Sequence, residues 1–227
     1  MKIALLMNDN SYAGREYIDH LEIAKIAFDV IIFGKNPESD NLEDERCENL
    51  WKPKKILEVR SRLNIFRFNS LKDKDFSDHL KKNRYYVGIQ GGTGILTLDV
   101  ISSFSYGILN FHPGKLPEYA GCTAPEWQVY EGKEIFCTCH LIDENIDSGP
   151  IISLKVLKPS MKSYANMRAT IYPQIGIFLV DIIKMFIERK EEMSPKSFPQ
   201  DKKKRIYRNP ISSEKLEKVK SLICKKV

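Results

Sequence analysis

Short apolar runs alternate with amphipathic stretches along the first half of the chain. KIALLM (2–7) and FDVIIFG (28–34) are continuous apolar runs of strand length, and between them Tyr17, Leu21, Ala24 and Phe28 recur at helical spacing. That is a βαβ unit. After a polar, charge-rich segment (35–62), NIFRF (64–68) reads as a strand, DFSDHLKKN (75–83) as a helix and YYVGIQG (85–91) as a strand. ILTLDVISSF (95–104) then reads as a helix and YGILNFH (106–112) as a further strand.

Parallel strands need crossover connections, so this alternation predicts an α/β fold: a Rossmann-like, mainly parallel twisted sheet with helices on both faces. Ligands then bind at the carboxyl ends of the strands. Downstream the period changes from helical to two. EIFCTCHLID (134–143) sets Ile135, Cys137, Cys139 and Leu141 against Phe136, Thr138 and His140, and IISLKVL (151–157) follows within a loop's length. This predicts a hairpin, hence an antiparallel strand toward the C-terminal side. Ile175, Phe178, Leu179, Ile182, Ile183 and Phe186 mark one stripe of a long helix over 163–190, which Pro173 is expected to kink or restart. The division this suggests is a catalytic domain over 1–190 and a basic C-terminal extension over 191–227, read as an extended return with a short final helix.

A chain of 227 residues, 42% hydrophobic, can bury a sizeable core. No apolar stretch is expected to approach the roughly 20 residues of a bilayer span, and MKIALLMNDN turns polar after Met7, too early for a secretory signal; a cytoplasmic protein with no membrane partner is expected. Five cysteines without a regular framework read as free thiols. The net charge of +6 is concentrated at the end, where 13 Lys/Arg face 6 Asp/Glu from Glu188 onward. No aromatic residues alternate with the basic ones there as a stacking platform needs, so a solvated tail is favoured over a nucleic-acid site. The oligomeric state is left open, a homodimer included.

LNFHPGKLPEYAG (109–121) ends the strand 106–112, and the period of two puts Asn110 and His112 on one face at its carboxyl end. Pro113, Gly114 and Pro117 then turn the chain away. Alone, these two residues favour the plainer reading, an Asn capping a turn and a His satisfied by backbone. In LIDENIDSGPII, Asp143, Glu144 and Asp147 lie between the two hairpin strands, and a carboxylate returning near His112 would favour its protonated form and fix its tautomer. The same stretch also suits a solvated acidic connection. A zinc site from His112, Cys122, Cys137, Cys139 and His140 is disfavoured, because C-x-C lacks the usual ligand spacing and His140 points away from the two thiols; no metal is expected. GGTG (91–94) lacks the Walker lysine and the full dinucleotide fingerprint.

Taken together, NFHPGKLPEYAG, APEW (124–127) and CTCHLIDENIDSGPII resemble the catalytic core of the formyltransferases that use 10-formyltetrahydrofolate, over about residues 85–155. The resemblance implies a catalytic triad of Asn110, His112 and Asp147 and 10-formyltetrahydrofolate as formyl donor. It also implies that the pterin lies against Gly91, Gly92, Thr93, Gly94, Ile95 and Leu96 and against Asp143, Glu144, Asn145 and Ile146. Many members carry Ser-Leu-Leu-Pro where this chain has Gly114-Lys115-Leu116-Pro117, and Tyr-Arg-Gly where it has Tyr119-Ala120-Gly121. The triad survives both changes; the acceptor's approach is what they affect.

The partner implied is a small-molecule amine. Methionyl-tRNA formyltransferases carry a further domain, for which the residues after the long helix are too few. Glycinamide ribonucleotide formyltransferases carry a Gly/Ser phosphate loop where this chain has NDNSYAGRE (8–16). Sugar N-formyltransferases often end in PQ…YRR, loosely matched by PQDKKKRIYR (199–208). A nucleoside-diphosphate-linked amino sugar is therefore expected, with Asn8 and Asn10 offering amide hydrogen bonds and Arg15 or Lys115 offering charge to the diphosphate. The competing expectations are glycinamide ribonucleotide, or a non-catalytic folate- or RNA-binding module.

Overall fold

A computed structural model describes residues 1–34, 45–54, 63–189 and 195–224, which gather into two compact units. The first comprises Met1–Glu43, Lys52–Asn110 and Leu179–Pro195. Its parallel strands are β1 (Ile3–Asn8), β2 (Asp29–Phe33), β3 (Asn64–Arg67), β4 (Val87–Gln90) and the start of β5 (Gly107–His112), in the order β3-β2-β1-β4-β5. Leu5, Leu6, Val30, Ile31, Val87, Ile89, Ile108 and Leu109 are fully buried, as continuous apolar runs in a parallel sheet should be. Helices α1 (Tyr12–Ile23), α2 (Lys74–Asn83) and α3 (Leu98–Ser102) alternate with the strands. α3 is shorter than the apolar pattern over 95–104 suggests, and Thr97 stands at its cap.

The strand order reverses between β1 and β4, and the loops leaving those two strands are tied together at that switch point. Asn8 N–H donates to Gly92 O at 3.2 Å, and the Ser11 hydroxyl donates to Gly91 O at 2.6 Å while accepting from Gly14 N at 3.2 Å as the cap of α1. Gly92 sits at φ +90°, and a Cβ there would stand 2.5 Å from Ser11 Oγ.

The second unit comprises Asp44–Trp51, Phe111–Phe178 and Lys196–Val227. Here β7 (Ile135–Leu141) pairs antiparallel with β8 (Ile151–Leu157), with an irregularity between Cys139 and His140. The hairpin is thus where the period of two placed it. β6 (Ala120–Gly121) pairs with β9 (Tyr207–Arg208), and α4 (Ala124–Tyr130) packs against α6 (Ser213–Cys224). From Lys196 on, the basic C-terminal segment therefore belongs to this unit. Lys215 and Lys218 lie over the rings of Trp127 and Tyr130 at 4.6 and 4.9 Å, while Lys202, Lys203 and Lys204 are exposed.

α5 (Tyr164–Arg189) runs without a break through Pro173, against the expected kink or restart. Proline's own φ is helical and only one N–H is lost, and buried Ile171 and Ile175 flank it. α5 also corrects the expectation that no stretch reaches bilayer length, since an 18-residue window of it has a mean hydropathy of 1.5. Its apolar residues form the buried stripe Ile175, Leu179, Ile182, Ile183 and Phe186, and its buried Arg168 lies 3.6 Å from Glu126, the pattern of a core helix. Most of the charge-rich segment 35–62 lies outside the described residues.

The geometry at Gly92 predicts that Gly92→Ala lowers stability by about 1–3 kcal/mol, read as a drop in Tm, through positive φ and the Ser11 contact. Adding Ser11→Gly should recover part of the loss. An unchanged Tm in Gly92→Ala would contradict the tie between the two loops.

Candidate active site

His112 is the last residue of β5 and is buried at 5% exposure. Its Nε2 stands 2.6 Å from the carbonyl oxygen of Tyr119, which accepts only, so Nε2 carries a proton and donates. Its Nδ1 faces Asp147 Oδ2 at 3.5 Å, an electrostatic contact longer than a hydrogen bond. The turn that brings the Tyr119 carbonyl back is drawn tight around the ring. A Cβ at Gly114 would stand 2.6 Å from His112 Nε2 and 2.8 Å from that carbonyl, so the serine common among similar sequences does not fit this loop as it stands.

Asp147 comes from the β7–β8 loop, and its side chain is 10% exposed. Oδ2 accepts from Gly121 N–H at 2.8 Å, and its backbone sits at φ 52°, a left-handed conformation uncommon outside glycine. Asp143 shapes the loop ahead of it, accepting at Oδ1 from Asn145 N–H at 3.1 Å and from the Ser148 hydroxyl at 2.5 Å. On the other side of the carboxylate, His140 Nε2 lies 3.7 Å from Oδ1. The His140 Nδ1–H donates to Leu141 O at 2.8 Å. Burial, followed by the neighbouring His112, pulls the pKa of His140 down from 6.5 to about 4 against the opposing pull of Asp147, so it is neutral near pH 7.

Two polar residues that carry no signal in the sequence hold the 113–117 turn. Gln128, fully buried, donates from Nε2 to Pro113 O at 3.2 Å and accepts at Oε1 from Lys115 N–H and Phe136 N–H. The hydroxyl of Thr138, also fully buried, donates to Gly114 O at 2.6 Å and accepts from Leu116 N–H at 3.1 Å. His140 was noticed in the sequence only as a zinc candidate. Lone polar residues inside a helix or strand have no spacing to betray them; their burial does.

The structure brings His112 and Asp147 together in the second unit, with Asp143, Glu144, Asn145 and Ile146 in the same loop as Asp147. Asn110 lies two residues before His112 on β5 and is half-buried. Gly91, Gly92, Thr93, Gly94, Ile95 and Leu96 form the loop leaving β4 in the first unit, with Ile95 strongly exposed. Asn8 ends β1 and Asn10 is buried; Arg15 turns back on its own loop, donating to Ser11 O and Asn10 O and covering the Tyr12 ring at 4.6 Å. Lys115 is exposed on the second unit, 5.5 Å over the Phe136 ring.

Within the second unit a buried carboxylate lies between two imidazoles, an arrangement chemically able to hold and move a proton. The model of the formyl transferase family matches residues 1–164, and the chain belongs to that family, whose enzymes move a formyl group from 10-formyltetrahydrofolate to an amine. The methionyl-tRNA formyltransferase of Buchnera aphidicola is 26% identical over 224 residues, covering 92% of this chain and 70% of that protein. A sugar N-formyltransferase from Shewanella sp. superposes with a TM-score of 0.58 at 18% identity, covering 93% of this chain and 77% of the other. Glycinamide ribonucleotide transformylase 1 from Symbiobacterium toebii superposes at 0.61 and 17%, covering 88% and 94%. The chain spans between 6% and 70% of the length of the curated relatives it matches. The superpositions establish the expected fold.

The buried His140 predicts how stability follows pH. Its pKa is lower folded (about 4) than unfolded (6.5), so the unfolded chain binds the extra proton between those values. The contribution is fully present above about pH 6.5, declines as pH falls, and levels off below about pH 4. Urea unfolding across this window should show a shallower acid-side decline in His140→Gln than in the wild type. Parallel profiles for the two proteins would contradict the assignment.

Proposed function

We propose that the protein formylates a primary amine from 10-formyltetrahydrofolate, and that the amine belongs to a nucleoside-diphosphate-linked amino sugar. The observation that carries the catalytic reading is the buried Asp147 carboxylate against His112 Nδ1. In this reading the acceptor nitrogen attacks the formyl carbon, a C–N bond forms, and the bond to the folate nitrogen breaks. Negative charge develops on the formyl oxygen, and the Asn110 amide is the donor suited to meet it, with the positive character of the His112 imidazole beside Asp147 adding electrostatic support. The attacking nitrogen becomes acidic as it forms the new bond. Asp147, directly or through one water, takes that proton or holds His112 oriented while it passes on, and the folate nitrogen departs carrying a proton as its N–H form, so that the proton lost by the acceptor amine is balanced by the one gained by the leaving group. No covalent enzyme intermediate is needed.

Residues 91–96 and 143–147 are assigned to the pterin. The backbone groups of these loops supply donors and acceptors for a heterocycle, and exposed Ile95 and Ile146 supply apolar cover.

The acceptor reading draws support from the β1–α1 loop. Ser11 is taken up by Gly91 and Gly14, and Arg15 by carbonyls of its own loop, so the position of a phosphate loop is filled by internal contacts. That favours an acceptor meeting the loop from outside, at half-buried Asn8, with the buried Asn10 reached only if the loop yields. Within the second unit, Lys115 and Lys133 line a cavity of about 620 Å³ whose other charged residues are Glu118, Glu131, Glu134 and Arg208, the last paired with Glu131 at 2.8 Å, so the two lysines are the cations in it that could meet a diphosphate.

His112→Asn and Asp147→Asn are each expected to lower turnover by about 10² or more, with affinity for 5-formyltetrahydrofolate kept within a few-fold. Near-normal turnover in either variant contradicts the assigned roles. For the acceptor, titration with dTDP-, UDP- and GDP-linked amino sugars should find one that binds and is formylated, and an Asn10→Ala, Lys115→Ala double variant should bind it more weakly. If none binds while glycinamide ribonucleotide is formylated efficiently, the acceptor assignment is wrong.

A further inference from the structure

We propose that the segment 198–208 is a strap that positions the acid/base pair, with Gln200 as its positioning residue; this rests on the catalytic reading of His112 and Asp147. The segment runs between two loops that each supply a partner to His112. One is the 146–151 loop, which carries Asp147. The other is the 117–122 loop, which carries the Tyr119 carbonyl and the Gly121 N–H.

On the first side, Phe198 and Ile151 exchange two backbone hydrogen bonds, each 2.8 Å. Gln200 Nε2 then donates to Asp147 O at 3.0 Å and to Gly149 O at 2.8 Å, and Arg205 Nη2 donates to Ile146 O at 2.6 Å. On the second side, Ile206 N–H donates to Pro117 O at 3.2 Å, and Ile206 O accepts from Ala120 N–H at 3.2 Å. Arg208 O accepts from Cys122 N–H at 2.8 Å, closing the two-residue pairing of β9 with β6. A single stretch of chain thus spans from the main chain of Asp147 to the main chain on both sides of Gly121.

The chemistry of these contacts decides what the strap does. Asp147 holds a left-handed backbone conformation that costs a non-glycine residue about 1–3 kcal/mol and persists only where the surroundings over-determine it. Its carbonyl accepts from the Gln200 amide, and the flanking bonds from Gln200 to Gly149 O and from Arg205 to Ile146 O hold the main chain on either side of it. The amide's orientation is fixed, because a flipped Gln200 would set its oxygen against two carbonyl oxygens. Without these donors the turn is free to relax toward ordinary φ, which swings the carboxylate away from both Gly121 N–H and His112 Nδ1. A displacement of about 1 Å is enough to cost a positioned acid/base set a large factor in rate.

The test uses the full chain with 10-formyltetrahydrofolate and the fastest acceptor among dTDP-, UDP- and GDP-linked amino sugars, comparing Gln200→Ala, Gln200→Glu, Asp147→Asn and, as control, the exposed Lys203→Ala. Gln200→Glu keeps the size of the side chain and removes its donors. Both Gln200 variants should lower kcat about 10-fold or more while KM for the acceptor stays within about 3-fold and Tm within a few degrees; Lys203→Ala should match the wild type. If both keep kcat within 2-fold while Asp147→Asn loses about 10² or more, the strap does not position the pair and the inference fails alone. If both lose activity only in step with Tm, the segment is merely structural and the inference also fails. If Asp147→Asn turns over normally, the catalytic reading fails and the inference falls with it.

Discussion

A carboxylate that is nine-tenths buried must be met by donors, and the second unit is arranged around meeting one. Asp147 takes the Gly121 N–H on the same oxygen that faces His112, and the other oxygen faces His140. The burial that makes this carboxylate costly to leave unpaired also strengthens its hold on whatever proton lies nearby. Much of the surrounding structure follows from that demand: the left-handed turn at Asp147, the Gly114 bend that returns the Tyr119 carbonyl to His112, and the buried Gln128 and Thr138 that fix this bend.

The two histidines beside Asp147 are not equivalent. His140 has one ring nitrogen committed to the Leu141 carbonyl and is buried deeply enough to stay neutral, so it presents a lone pair toward the carboxylate and lines its site. His112 donates from Nε2 to Tyr119 and turns Nδ1 toward Asp147, so a proton on that nitrogen is the one the carboxylate can share. The donor to the carboxylate is the Gly121 N–H; His112 faces it with Nδ1, and His140 faces it without donating to it. This division suits a family whose reaction moves one proton from an amine while charge gathers on a formyl oxygen.

The sequence made the parallel strands readable because burial on both faces writes a continuous apolar run, as in IALLMN and DVIIF. It marked the hairpin through the period of two, and His112 and Asp147 through their chemistry at strand ends and the family resemblance. Helix boundaries were less legible. Within 95–104 only Leu98–Ser102 is helical, with Thr97 at its cap, and at Pro173 a strongly buried stripe carries α5 past a residue that usually interrupts helices. The contacts that hold the site were hidden for a different reason. Gln128, Thr138 and Gln200 are ordinary polar residues whose partners are main-chain atoms far along the chain, and neither hydropathy nor spacing records such a partner. The basic tail as a whole reads as solvated because its charges dominate the pattern, and PQDKKKRIYR stands out only as a loose family match, while the contacts that tie it to the Asp147 loop come from one amide, one guanidinium and the backbone.

That burial and the flanking main-chain carbonyls fix the ring protons of the two histidines beside Asp147 is tested most directly by long-range ¹H–¹⁵N correlation of the imidazole rings in the wild-type protein at pH 7. The account predicts two distinct states: His140 neutral with its proton on Nδ1, and His112 carrying a proton on Nε2. A doubly protonated His140, or a His112 with Nε2 bare, would contradict it.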